Sequence, residues 1–126
     1  MIFMKLNPDC LRDMLIIIQE KTYIDDNGNA VSVSFDSLCK CMDRYSKGDI
    51  TFTLLRLFEE DLISGWYKPA DKAPIYSAII NRLTPEGEKL LTDIYDTGKW
   101  NAVKKKFKDK GIPTLTAIIE IVKAII

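Results

Sequence analysis

Two β-leaning runs, ISGWYK (63–68) and IYSAIIN (75–81), stand side by side with only PADKAP between them, and helical patterns bound them on both sides. β-Branched and aromatic residues fill the runs, and a proline sits on each side of a charged tip, so the segment predicts a hairpin. The residues immediately after it are equally constrained. Thr84-Pro85-Glu86 offers a side-chain acceptor at an N-cap, then a residue that needs no N–H, then an acid at the positive end of the helix dipole. The helix started there is expected to pack behind the hairpin and to stop near Thr97-Gly98.

The preceding half repeats this grammar. Asn7-Pro8-Asp9 starts a first helix with Leu11, Met14, Leu15, Ile17 and Ile18 at helical spacing. DDNGN (25–29) predicts a turn, and AVSVS alternates like a short strand. Ser34 caps a second predicted helix, FDSLCKCMDRY, striped by Phe35, Leu38, Cys39, Met42 and Tyr45. Ser46-Lys47-Gly48 breaks it, and Asp49 is expected to cap a third, ITFTLLRLFEEDLI. Spacing at 100° puts Ile50, Leu54, Leu57 and Phe58 on one face of that helix, with Phe52, Thr53, Arg56, Glu59 and Glu60 opposite.

Beyond the Thr84 helix, KWNAVKKKFKDK keeps only Trp100, Val103 and Phe107 in register, so Trp100 is read as docking this basic helix onto the domain. Gly111-Ile112-Pro113 breaks the chain before a last helix, TLTAIIEIVKAII. Its apolar arc includes Leu115, Ile118, Ile119, Ile121, Val122, Ile125 and Ile126, wider than one packing face needs. It either lies between two elements of its own domain or forms a homodimer seam through Ile118, Val122 and Ile125.

The predicted order is helix, strand, helix, tight turn, helix, strand, loop, strand, helix. That is an α+β arrangement of the winged helix-turn-helix kind, with a two-stranded wing and added C-terminal helices. One domain of residues 1–126 is expected, with a core over about 5–97 and C-terminal helices over about 99–126.

Charge narrows the partners. Eighteen basic and eighteen acidic residues balance, which disfavours an obligate nucleic-acid binder with a large basic excess. The balance is uneven, at −4 over residues 1–66 and +4 over 67–126, with the surplus concentrated in Lys99, Lys104, Lys105, Lys106, Lys108 and Lys110. Three cysteines, with no signal-like apolar stretch before Asp9, lead to an expectation of the reducing cytoplasm, and no apolar run suits a membrane.

Catalysis has little to work with. There is no histidine, so Ser-His and Cys-His arrangements are excluded, and no phosphate-cradling glycine motif occurs among the six glycines. Asp25-Asp26 and Glu59-Glu60-Asp61 read as a solvated turn and a solvated helix end. Cys39-x-Cys41 with distant Cys10 falls short of the four ligands of structural zinc. Neither enzymatic activity, nor a cofactor, nor a metal is expected.

MKLNPDCLRDMLIIIQE, FTLLRLFEEDLI and above all LTPEGEKLLTDIYDTGKWNAVKKK resemble an uncharacterised bacterial and phage family of YjcQ-like winged-helix domains, over nearly the whole chain. The resemblance implies the fold, a phage or mobile-element setting, and DNA binding of the transcription-regulator type by analogy. It implies no catalytic activity. The family's Tyr-His and Ala-Gly positions in the third helix are Phe52-Thr53 and Glu60-Asp61 here, which weakens that helix for meeting phosphate.

Two partner classes suit these features. For double-stranded DNA, the candidate contacts are Thr53 and Arg56 on the third helix, Lys47 in the turn, Lys68 and Lys72 on the wing, and Lys104, Lys105, Lys106 and Lys108 behind. For a protein partner, the residues are Phe52 and Arg56, an aromatic–arginine pair typical of interface hot spots, with the last helix as a self-association seam. A phage inhibitor of a host or defence protein belongs to this second class.

Overall fold

The computed structural model describes residues 6–110 and 114–125, with residues 108–110 as backbone alone. The helices begin where short polar side chains take up orphan N–H groups. Asn7 accepts from the Cys10 N–H to start α1 (Pro8–Lys21), Ser34 from Ser37 to start α2 (Phe35–Cys41), and Thr84 from Gly87 to start α4 (Pro85–Ile94). The cap of α3 (Lys47–Glu59) is Ser46, whose hydroxyl accepts from the Asp49 N–H at 3.0 Å. Asp49 therefore lies in the first turn, where its charge suits the dipole, and is not the cap.

Between α1 and α2 the expected single strand is two short ones. β2 (Ala30–Val31) pairs back on β1 (Tyr23–Ile24) across the DDNGN turn, where Asp25 Oδ1 accepts from the N–H groups of Asn27 and Asn29. β3 (Val33–Ser34) joins the second sheet instead. That sheet contains β4 (Ile63–Ala70) and β5 (Ala73–Leu83), is antiparallel throughout, and has the order β3-β5-β4. The 63–68 and 75–81 runs pair as expected, but the hairpin is longer and its tip shrinks to Asp71-Lys72, with Lys72 at φ 65°. α2 ends at Cys41, short of Tyr45, because the Met42 N–H bifurcates to the Leu38 and Cys39 carbonyls and turns the chain.

The stop expected at Thr97-Gly98 is a start. Arg12 of α1 donates from Nε to the Ile94 carbonyl (3.0 Å) and from a terminal nitrogen to that of Tyr95 (2.6 Å), closing α4 at its carbonyl end. Asp96 then accepts from the Lys99 N–H at 2.9 Å and opens α5 (Thr97–Lys110). Trp100, Val103 and Phe107 are all buried, and the Trp100 indole N–H donates to Asp9 Oδ1 at 3.0 Å, so the tryptophan docks α5 onto the start of α1.

α6 (Leu115–Ile125) packs against α4 and α5 and buries Leu115, Ile118, Ile121 and Val122. Most of its wide arc is therefore covered within the molecule, with Ile119 half-buried. Ile118 and Val122 are unavailable as a dimer seam, and of the three expected seam residues only Ile125 is exposed. No helix among the described residues is long and apolar enough to cross a membrane.

The core runs from α1 through α2, α3 and β5 to α4–α6, and no buried side-chain polar atom among the described residues lacks a partner. One contact in it admits no side chain. A Cβ on Gly87 would stand 2.0 Å from the Leu62 carbonyl oxygen, a backbone atom that has no room to retreat. Gly87→Ala is expected to cost about 1–3 kcal/mol of unfolding free energy, in the range of an overpacked core, despite its gain in helix propensity. Urea denaturation of the two proteins checks it.

Candidate interaction surface

α3 buries Ile50, Thr53, Leu54 and Leu57, a face rotated from the expected one because Thr53, only about 60° round the cylinder from Ile50 and next to Leu57, forms one edge of the buried arc. Thr53 is 0% exposed, and its hydroxyl donates to Cys10 Sγ at 3.5 Å. It is a core residue and cannot reach a base edge. Phe58, expected on the buried face, is only half-buried and packs at a tilt of 42° against Tyr67 of β4, with ring centroids 5.0 Å apart.

The outward side of α3 carries little free charge. Arg56 is clasped by Glu59 at 3.4 Å and Glu60 at 3.2 Å, and that trio is net negative. Phe52 is half-buried against the core, a flank of the surface more than an anchor projecting from it. Lys47 is exposed, with Nζ 5.9 Å from the centre of the Phe35 ring.

The hairpin beside α3 carries three exposed aromatics, while Tyr23 and Tyr95 are exposed elsewhere. Trp66 is 46% exposed, Tyr67 38% and Tyr76 71%. In the register Trp66 lies opposite Ile79 and Tyr67 opposite Ala78, so the two adjacent rings project from opposite faces of the sheet. Tyr67 reaches α3 through Phe58, while Trp66 lies under a nearby cation of its own strand, with Lys68 Nζ 5.5 Å from the ring centroid. Lys72 stands at the tip. Gly65, at φ 152°, lets β4 cross close over β5, since a Cβ there would lie 2.1 Å from the Ile79 carbonyl oxygen. The sequence signal for this surface is the aromatic content of the two runs, which the third-helix analogy overshadows.

The lysine helix is only partly free. Lys104 donates to Asp9 Oδ1 at 3.0 Å and lies 6.0 Å from the Trp100 ring centroid, so it holds α5 in place. Lys105 and Lys106 are exposed, and the Lys108 side chain lies outside the described residues. Burial pushes the Asp9 carboxyl up, but the hydrogen bonds from Trp100 and Lys104 and the nearby cations outweigh it, leaving the group below its ordinary value of 3.8. The contribution of Asp9 to stability is then fully present above about pH 4–5 and lost as pH falls through the lower folded value. One turn further along α1, Asp13 accepts from Arg44 and from the Tyr45 hydroxyl, and burial pushes that phenol up to about 12.

Burial likewise pushes the Cys10 thiol up to about 11, Cys39 is raised by the same cause, and Cys41 is exposed. No group of three or more Cys, Asp or Glu among the described residues is placed to hold a metal ion. Native-state alkylation at pH 8 is expected to label Cys41 first, Cys39 more slowly and Cys10 only on unfolding, as mass spectrometry of the peptides will report. For the Asp9 clamp, Asp9→Ala is expected to lower stability at neutral pH, with the gap from the parent protein closing below about pH 4 in denaturation measured across pH.

No curated protein matches the chain. A family model matches residues 5–113, which takes in the caps, the hairpin, the α3 surface and the Trp100 block and stops short of α6. The expectation of an uncharacterised family is met on that span. The chain belongs to the family described as hypothetical protein (DUF2513).

Proposed function

We propose that the chain is a non-catalytic protein-binding module on a winged-helix framework, with the β4–β5 hairpin and the adjoining residues of α3 as its contact surface. The order α1, β3, α2, α3, β4, β5 and the strand arrangement β3-β5-β4 support the framework. The observation that carries the function is the placement of exposed Trp66, Tyr67 and Tyr76 on one hairpin beside an α3 whose only arginine is already neutralised. Tyrosine and tryptophan contribute large contact area at little conformational cost, and they are the residues enriched at protein interfaces. A phage-encoded inhibitor of a host or defence protein is one form this module takes, in keeping with the resemblance of the sequence.

A second reading, regulation through double-stranded DNA, draws support from exposed Lys47, Lys68, Lys72, Lys105 and Lys106. It is the weaker one. Thr53 is buried, Arg56 and Lys104 are engaged within the molecule, and the acidic end of α3 would face phosphate.

Two measurements separate the readings. Fluorescence anisotropy on mixed-sequence duplex DNA at low salt is expected to show no saturable binding. A photocrosslinker replacing Tyr76, used in a bacterial host extract, is expected to capture a defined protein, and Trp66→Ala is expected to reduce that capture about tenfold or more. Salt-sensitive duplex binding that weakens in Lys68→Ala/Lys72→Ala would favour DNA and contradict the protein-binding reading.

A further inference from the structure

β4 is an edge strand. Its sheet ends there, and its residues are exposed from Gly65 to Ala70. Edges are normally guarded by bulges, prolines and lysines, and β4 has all three. Their positions matter. The irregularities fall between Ser64 and Gly65 and between Lys68 and Ala70, and Pro69 lies in the second. They leave Gly65-Trp66-Tyr67-Lys68 as a regular, open stretch between two stops, with Lys68 folded over the Trp66 ring.

Charge along this strand is graded. Just before it come Glu59, Glu60 and Asp61, all exposed, with Arg56 as the cation paired to the two glutamates. At its far end come Lys68 and Lys72, with Asp71 between them. The strand is thus acidic where it begins and basic where it ends. Parallel pairing of two such strands would set like charges together. Antiparallel pairing sets each acidic start beside the other's basic end, which is the self-complementarity an isologous two-fold interface requires.

We propose that β4 pairs antiparallel with β4 of a second copy, joining two three-stranded sheets into one of six. A two-fold axis at Trp66 brings the Lys68–Lys72 end of each strand toward the Glu59–Asp61 segment that precedes the other and sets the two exposed indoles against each other as a cross-strand pair. The proposal rests on the reading of the hairpin as a protein-binding surface and assigns one occupant to its open edge. It also moves self-association away from α6.

Sedimentation from about 1 µM to about 1 mM tests it, since a short strand pairing falls within that affinity range. The parent protein is expected to form a dimer whose dissociation constant rises with salt. Lys68→Glu/Lys72→Glu makes both ends acidic, and Glu59→Lys/Glu60→Lys makes both ends basic. Each variant is expected to dimerise at least about tenfold more weakly than the parent. An equimolar mixture of the two is expected to restore association as a heterodimer, which a merely structural role of these exposed side chains would not produce. Circular dichroism confirms that each variant is folded.

A parent protein that stays at 14.4 kDa up to the highest concentration overturns the proposal. So does a dimer indifferent to both charge variants, or a different polypeptide captured along β4 in place of a second copy. A monomer that still crosslinks to a defined partner through position 76 removes only the self-pairing. A monomer that captures nothing removes the protein-binding reading as well.

Discussion

A single backbone crossing organises this fold. The chain leaves α3 with the Leu62 N–H donating to the Leu57 carbonyl at 3.0 Å, after Asp61 has turned it at φ 56°. The Leu62 carbonyl then accepts from the Thr84 N–H at 3.0 Å, and the Thr84 hydroxyl donates to the Asp61 carbonyl at 2.7 Å while also capping α4. Gly87 brings the first turn of α4 onto that same Leu62 carbonyl. The end of α3, the start of β4, the end of β5 and the start of α4 therefore meet within a few residues, bonded through backbone groups and the single hydroxyl of Thr84. The hairpin projects from this corner with both of its ends fixed.

That anchorage gives the exposed aromatics their meaning. Large rings on a floppy loop would lose ordering entropy on contact, whereas rings on a strand pair held at its base are already positioned. The Phe58–Tyr67 contact adds a second point of support from α3. Helices α4 and α5 are tied to α1 by long-range polar contacts of another kind. Asp9 gathers Trp100 and Lys104 across more than ninety residues of chain, and Arg12 closes α4. These contacts turn the basic helix from a free strip of charge into a docked element, and for that reason the formal charge of 97–110 overstates what is available to a partner.

Local signals are legible in this sequence and distant ones are not. Asn7, Ser34 and Thr84 announce their helices because a cap is a contact within four residues, and the hairpin follows from two apolar runs and a proline-flanked tip. The phase of α3 escapes because Thr53, polar in type, has its hydroxyl partnered by Cys10 from α1, a neighbour 43 residues away. Gly98 resembles a terminator because Asp96, which starts α5, stands two residues before it. The breadth of the α6 arc does not distinguish docking between α4 and α5 from a seam with a second molecule, since burial has the same composition in both cases. The proposed interaction surface is hidden for a related reason: which edge of a sheet is open depends on what pairs beside it, and β4 lies at the edge only because β3 takes the other side of β5.

Residue-resolved amide hydrogen exchange of the parent protein asks whether the hairpin is a rigid projection from one backbone corner. The amides of Leu62 and Thr84 should exchange only through global unfolding, with the same free energy as the core of α1 around Leu15, while those at the Asp71-Lys72 tip exchange freely. Exchange of Leu62 and Thr84 at the rate of the tip would mean instead that the hairpin and α4 open independently of the core, and the corner would not be what holds the fold together.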